Sequence, residues 1–465
     1  MFSSPDDSLS LSKAAAAHAG LARGEIDAWA QALPARTSDL AADGAAYGAF
    51  WARSRDLLSR LSAKGRRNSA EAAAAGAILS LGRASRIRFL RAHASAVYDT
   101  LTAQRTSFLR IDDLCRRAAD TYPGLVPGAP ELEAEAQAAQ RDKDGVEIDQ
   151  GLFLAQVLAD PAAGMHLCQA MLLAREGARE RLAELERNDE IDLGAVHLKR
   201  HGKASLLTMR NPRHLNAEDA STLDAMEIAV DLALLDPHTE VCVLRGGPVE
   251  HPKHAGKRLF GAGINLTHLY QGKIPFLWYL VRDMGFVNKL YRGLALADGV
   301  ADEESIEKPW IAAVDGFAIG GHCQILLAVD HVLAADDAYM TLPARKEGIV
   351  PGAANLRLPR FVGDRIARQA IMAELRIDCA SATGRMICDA TVRPADMDSE
   401  IERTIKTLTG SGVVSAAGNR RALRAGQEPL DLFRRYMSVY AREQAHCHFS
   451  AGLIANLERY WIRAK

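Results

Sequence analysis

The chain is predicted to be an α/β protein, with an α/β core preceded by an all-helical N-terminal domain and followed by C-terminal helices. Three observations predict this. The first part is rich in Ala, Arg, Leu and Glu and poor in β-branched residues, the texture changes near Asp192, and helical spacing returns at the end with aromatics. At 465 residues the chain is too long for one compact domain. The expected divisions are a helical domain over residues 1–195, the α/β core over 196–400 and a C-terminal helical region over 401–465.

The elements follow in order. Leu, Ile and Phe recur at helical spacing over Ser69 to Thr106 and Gly151 to Arg187, and the Pro- and Gly-rich run from Tyr122 to Pro130 reads as a loop. Val196 to Lys199 and Ser205 to Met209 read as two strands around the turn His201-Gly202-Lys203. Asn216-Ala217-Glu218-Asp219 supplies an N-cap and first-turn acids for a helix reaching about Leu235. Glu240 to Arg245 and Pro309 to Val314 read as buried strands. The second leads through Gly316 and Gly320-Gly321 into an apolar helix from His322 to Val329. Strand and helix alternate to about residue 400. Phe433, Tyr436, Tyr440, Phe449, Tyr460 and Trp461 mark the final helices.

The totals exclude several classes of function. Basic and acidic residues nearly cancel, 57 against 58, so neither nucleic acid nor a membrane surface is an expected partner. The seven cysteines lack paired spacing, as expected of reduced thiols in a cytoplasm rather than a disulfide framework or a zinc site. Met1 to Gly20 has no basic start followed by an apolar core, so no secretory signal is expected. No apolar run approaches the ~20 residues that span a bilayer. A soluble cytoplasmic protein is the expectation. No 2-His-1-carboxylate spacing, haem-attachment motif or flavin fingerprint is present, and no metal site is expected.

Three segments stand out: Arg258 to Leu266 (RLFGAGINL), Lys308 to Gln324 (KPWIAAVDGFAIGGHCQ) and Leu342 to Gly352 (LPARKEGIVPG). One glycine turn would mean little, but three in this order and at these separations are specific. Together they resemble the crotonase (enoyl-CoA hydratase/isomerase) superfamily, with its A-G-x-D strand-loop, its K-P-x-I-A-A-V-x-G-x-A-x-G-G-G run and its P-E-x-x-x-G-x-x-P-G segment. The resemblance implies a crotonase-like fold with a ββα core that binds an acyl-coenzyme A and stabilises the enolate of its thioester. It matches the N–H groups of Ile264 and Gly321 to the family's two oxyanion donors. Ala262, Gly263, Gly316 and Gly320 become the residues beside the thioester, since glycine lets a ligand approach the backbone closely. Gly321 would begin a helix, where unpaired N–H groups favour negative charge.

Departures from the pattern narrow the reaction. Hydratases carry two glutamates where this chain has Gln324 and Ala344. An amide is no general base and alanine has no proton to move, so water addition is not expected. Glu347 lies three residues too late to replace the second acid, and reads as a solvated or structural charge. An oxyanion hole without paired acids suits a substrate whose α-carbon is already acidic, such as an arylacetyl thioester.

The longer pattern, GAGINLTHL with FAIGGHCQ and LPARKEGIVPG, is similar to superfamily dioxygenases that act on arylacetyl-CoA. That implies conversion of 3,5-dihydroxyphenylacetyl-CoA and O2 to 3,5-dihydroxyphenylglyoxylate and CoA. No metal or organic cofactor takes part: CoA belongs to the substrate and O2 is co-substrate. It also implies a homotrimer or homohexamer assembled through the C-terminal helices, which makes 401–465 the oligomerisation region.

Candidate roles follow. Gln324 could bond the substrate carbonyl or a peroxide, or tie down the helix start. Glu218 and Arg282 are candidates for the polar ring and acyl chain, although Glu218 could be a first-turn acid and Arg282 a surface partner of Asp283. His254, Lys257 and Arg258, in the basic loop from His251, suit the CoA phosphates. Leu266, Ile349, Val350 and Pro351 are candidates for a dry wall around O2, or for ordinary core. His322 stands where the family usually has glycine, and could line the site or pack the helix start. Thioesterase, decarboxylase and non-catalytic CoA-binding readings remain alternatives.

Overall fold

Alanine-rich helical periodicity produces the helices Arg23–Gln31, Leu40–Ser59, Ser69–Leu101, Ile111–Thr121, Ala129–Ala136 and Ile148–Ala159. The computed structural model describes residues 21, 23–299, 304–410 and 412–462. Residues 1–20, where no secretory signal is expected, lie outside them. Two compact units form. One holds the residues up to Leu167 with Tyr270–Leu277 and Met437–Ile454, and the other holds Cys168–Leu269, Trp278–Tyr436 and the residues from Ala455.

In the helical unit, Asn68 caps Ser69–Leu101 in a reciprocal box with Glu71, each side chain accepting from the other's backbone N–H at 2.9 and 3.0 Å. That helix stops short of Thr106 because Ala103, Gln104 and Arg105 adopt left-handed conformations. Trp29 stacks on Phe50 at 5.7 Å and Trp51 meets the edge of Phe89 at 5.4 Å, forming an aromatic core. Segments distant in sequence close the unit: Lys143 Nζ donates to Gly272 O (2.7 Å), Gln140 Nε2 to His448 O (2.7 Å) and Ser438 Oγ to Ala155 O (2.8 Å).

The stretch Gly151 to Arg187 is not one helix but parts of three, Ile148–Ala159, Pro161–Leu172 and Glu176–Asn188. Pro161 cannot donate to the preceding turn, and Asp160 restarts the helix by accepting from Ala163 N at 2.8 Å. Among the described residues no single helix is long and apolar enough to cross a membrane.

Among its described residues the second unit has twelve short strands: β1 (Glu190–Asp192), β2 (Val196–His201), β3 (Ala204–Met209), β4 (Val241–Gly246), β5 (Leu294–Ala295), β6 (Ser305–Ile306), β7 (Trp310–Val314), β8 (Phe317–Ile319), β9 (His331–Ala335), β10 (Tyr339–Thr341), β11 (Ile377–Asp378) and β12 (Ala390–Val392). Seven form a sheet in the order β1-β2-β3-β4-β7-β9-β12, antiparallel through β3 and parallel beyond it. The β2–β3 hairpin turns at Gly202, and the helix Ala220–Leu235 crosses from β3 to β4. Val243, Leu244, Ile311, Ala312 and Leu333 fill the core between sheet and helices. Lys308 closes that crossover helix, donating to Ala233 O (2.7 Å), Asp236 O (2.5 Å) and Thr239 Oγ1 (3.1 Å), a cation where a helix C-terminus favours one.

After β7 the chain leaves the large sheet at Asp315-Gly316. β8 then joins a smaller one, parallel to β10, which pairs antiparallel with β11. This switch carries Gly320 and Gly321 away from the core and towards the residue 260–265 segment.

Candidate active site

Segment 260–265 runs beside β8 like an added strand. Gly261 N donates to Phe317 O (3.1 Å) and Ile319 N returns a bond to Gly261 O (3.0 Å). On its other side, Glu218 N donates to Gly263 O (2.7 Å) and Asn265 N to Glu218 O (2.8 Å). Because the C=O and N–H of one peptide point oppositely, the bond to Gly263 O turns Ile264 N–H away from Glu218. The same logic holds at Gly321: Gln324 N donates to Gly320 O (3.1 Å), so Gly321 N–H points out from the helix Gly321–Leu326. Neither Ile264 N–H nor Gly321 N–H finds an acceptor among the described residues.

Two glycines allow this approach. Gly263 has φ +76° and Gly320 φ +54° with ψ −115°, backbone that side chains disfavour. A Cβ at Gly263 would lie 2.8 Å from Ile319 O and 3.3 Å from Gly321 N.

Around these donors sits a buried charged network. Arg282, 2% exposed, reaches Glu218 through Nε (2.9 Å) and Nη2 (2.8 Å), Asp283 Oδ1 (2.8 Å) and Gln324 Oε1 (2.9 Å) through Nη1, and Gly321 O (2.8 Å) through Nη2. Burial opposes its charge, and the Glu218 and Asp283 carboxylates more than offset that, holding the guanidinium above its ordinary pKa. Phe286 stacks 5.3 Å from the guanidinium. The surface-pair reading of Arg282 therefore fails. The first-turn reading of Glu218 fails too, because Asp219 is the N-cap and Glu218 precedes it. Tyr436 Oη donates to the carbonyl of Gly352, whose backbone lies against Gln324 and Asp283.

The structure thus brings Glu218, Gly263, Ile264, Arg282, Gly320, Gly321 and Gln324 into one cluster. Sequence reasoning missed Gly352 and Tyr436. The glycine was visible only as part of a motif, and nothing local marks the tyrosine. Beside Glu218 and His322 a cavity of about 20 Å³, walled by Trp278, Phe286 and Met226, has room for about one water and not for an aryl ring.

The other candidates lie around the cluster. Ala262 donates its N–H to Leu215 O (3.2 Å), and Gly316 marks the switch from β7 to β8. His254 meets the edge of Phe317, at the start of β8, at 5.9 Å. Lys257 and Arg258 are exposed, and neither forms an ion pair among the described residues. Leu266, half-buried, opens the short helix after Asn265. Half-buried Ile349 and Val350 and buried Pro351 lead into Gly352.

Of the two readings of Glu347, the structural charge fits better. It ends the helix Ala344–Glu347 partly covered, and burial pushes its pKa up to about 8, with Lys346 opposing and Glu374 adding to the rise. Its folded pKa is above the unfolded value, so its contribution to stability is full below pH 4.5 and is lost as pH rises through about 8. Urea titrations across that window should show the wild type losing stability relative to Glu347→Gln; parallel curves would refute the shift.

These features define a class. The family model described as enoyl-CoA hydratase/isomerase matches residues 200–459, and the chain belongs to that family, the crotonases. A particular relative matches over more of the chain: (3,5-dihydroxyphenyl)acetyl-CoA 1,2-dioxygenase of Amycolatopsis orientalis is 46% identical over 403 residues, covering 86% of this chain and 92% of the relative. Carnitinyl-CoA dehydratase of Salmonella enteritidis is 29% identical over 245 residues, 52% of this chain and 85% of its own. Among solved structures, an enoyl-CoA hydratase/isomerase from Xanthobacter autotrophicus Py2 superposes with a TM-score of 0.49 at 22% identity, covering 59% of this chain and 96% of that one.

Proposed function

We propose that the protein is a dioxygenase of 3,5-dihydroxyphenylacetyl-CoA that holds the thioester enolate between Ile264 N–H and Gly321 N–H. The observation that carries this is the pair of unengaged N–H groups at Ile264 and Gly321, in a chain that has Gln324 and Ala344 at the positions of a hydratase's two acids. Similarity across 92% of the Amycolatopsis dioxygenase supports the choice of reaction.

The two donors stabilise the oxygen that gains charge as the α-proton leaves. The enolate gives one electron to O2, and the resulting radicals combine as an α-peroxide. The peroxide attacks the thioester carbon and expels the CoA thiolate. Cleavage of the O–O bond with loss of the second α-hydrogen leaves the arylglyoxylate, with both oxygens of O2 in it. The electrons come from the substrate, and the proposal assigns no metal and no organic cofactor. Gln324 and the Glu218–Arg282 pair bond the oxygens and ring hydroxyls. His254, Lys257 and Arg258 meet the CoA phosphates. Leu266, Ile349, Val350 and Pro351 keep the O2 side dry.

We further infer a cytoplasmic homotrimer or homohexamer, a choice that the mass in solution decides. The apolar side chains of Val414 (88% exposed) and Leu423 (61%) support such an assembly.

The deciding experiment is O2 uptake by metal-stripped protein given 3,5-dihydroxyphenylacetyl-CoA, with free thiol and arylglyoxylate followed together. Equal molar O2 consumption and release of both products is expected. Thiol release without O2 uptake would instead leave a thioesterase on the same fold.

A further inference from the structure

We propose that His322 is a positioning residue that fixes the two oxyanion donors relative to each other, by accepting the Gly263 N–H at its Nδ1. This deepens the enolate-forming reading above and rests on it.

The argument begins with the ladder between segment 260–265 and β8. Two rungs are present, Gly261 N to Phe317 O and Ile319 N to Gly261 O. The next parallel rung would run from Gly263 N to Ile319 O. It is not made, because Gly263 turns at φ +76° and the other chain turns at Gly320. The ladder therefore ends just before the donors, and the Gly263 N–H is released in a buried place. His322 Nδ1 takes it at 3.0 Å. Glycine, which the family usually has at this position, offers no acceptor there.

The ring is held for this task. His322 is 0% exposed, with Phe260 edge-on at 5.7 Å. A Cβ at Gly261 would fall 2.2 Å from Nε2, so the imidazole occupies the space of a side chain that glycine lacks. Accepting at Nδ1 requires a neutral ring with its proton on Nε2. Burial keeps it neutral, pushing its pKa down to about 4, while Glu218 pulls upward and Arg282 opposes that. Since His322 follows Gly321 directly, the bond spans from one donor's helix to the peptide preceding the other donor. Arg282 makes a second link on the carbonyl side, bonding Gly321 O and the carboxylate of Glu218, whose own N–H holds Gly263 O.

The test compares wild type, His322→Asn and His322→Leu. Asn places Oδ1 near the position of Nδ1, and Leu fills space without an acceptor. Leu is expected to lower kcat for CoA release about 100-fold with KM within about threefold, and Asn to recover at least about tenfold of that loss. A Leu variant within about threefold of wild type, or equal losses in Asn and Leu, overturns the proposal. Should Leu fail to fold, His322→Gln replaces it: its amide reaches towards the Nε2 position, and equal activity in Gln and Asn is the overturning result. Hydrogen exchange at the Gly263 amide reads the bond without turnover. Faster exchange in Leu or Gln than in Asn supports the proposal, and unchanged exchange overturns it. A wild type that turns over no arylacetyl-CoA overturns the functional reading instead, and exchange still decides the bond.

Discussion

Gly263→Ala is expected to cut turnover by roughly 10²–10³-fold, the scale for losing one oxyanion donor. The added methyl would meet Ile319 O at 2.8 Å and Gly321 N at 3.3 Å. Both are backbone atoms, one at the end of β8 and one at the start of the helix Gly321–Leu326, so no side chain can swing aside. Relief requires the Gly263-Ile264 peptide to move away from Gly321, and the two N–H groups then no longer converge on one oxygen. The left-handed backbone at this position adds a further cost of about 1–2 kcal/mol to the folded state. Steady-state kinetics of CoA release should show the loss mainly in kcat, because the donors act most strongly on the charge that develops in the transition state. A variant turning over at the wild-type rate would show that the donors are not where the chemistry happens.

The second large effect is on stability. Arg282→Met should destabilise the protein by about 3–5 kcal/mol, the usual cost of removing one partner of a buried ion pair. Glu218, 8% exposed, would lose both contacts with the guanidinium. The adjacent Asp283 would lose one. Removing the stranded charge with Glu218→Gln in the Met background should recover part of the loss. Urea unfolding midpoints of the single and double variants measure it. A single variant within about 1 kcal/mol of wild type would place Arg282 in a far wetter setting than its burial implies.

Much of this site could be read from residue order. The glycines at 263, 320 and 321 stand out because they fall in segments whose order and separation resemble the crotonase pattern, although any one glycine turn alone would mean little. The alternation of β-branched runs with helical spacing marks the parallel core, and Gly202 marks the hairpin. Other features could not be read this way. Arg282-Asp283 looks like a surface pair because sequence records neighbours along the chain and not the depth at which they are buried. Whether Glu347 is a solvated or a structural charge stays open in the sequence for the same reason. The role of His322 depends on a ladder ending 59 residues earlier, at Gly263. Nothing periodic in 270–277 or 437–454 reveals that those segments complete a unit begun at the N-terminus.

That last feature bears on how the molecule is made. A ribosome releases the first 167 residues long before Met437–Ile454 exist, yet the unit they build is incomplete without them. Its carbonyls at Ala155 and buried amide at Gln140 wait for Ser438 and His448. For most of translation the nascent N-terminal helices thus present unfinished surface to the cell. Translation cannot deliver the N-terminal unit finished before the rest, and a gene cut at residue 167 would leave the first fragment without Tyr270–Leu277 and Met437–Ile454 while the second carried them without their unit.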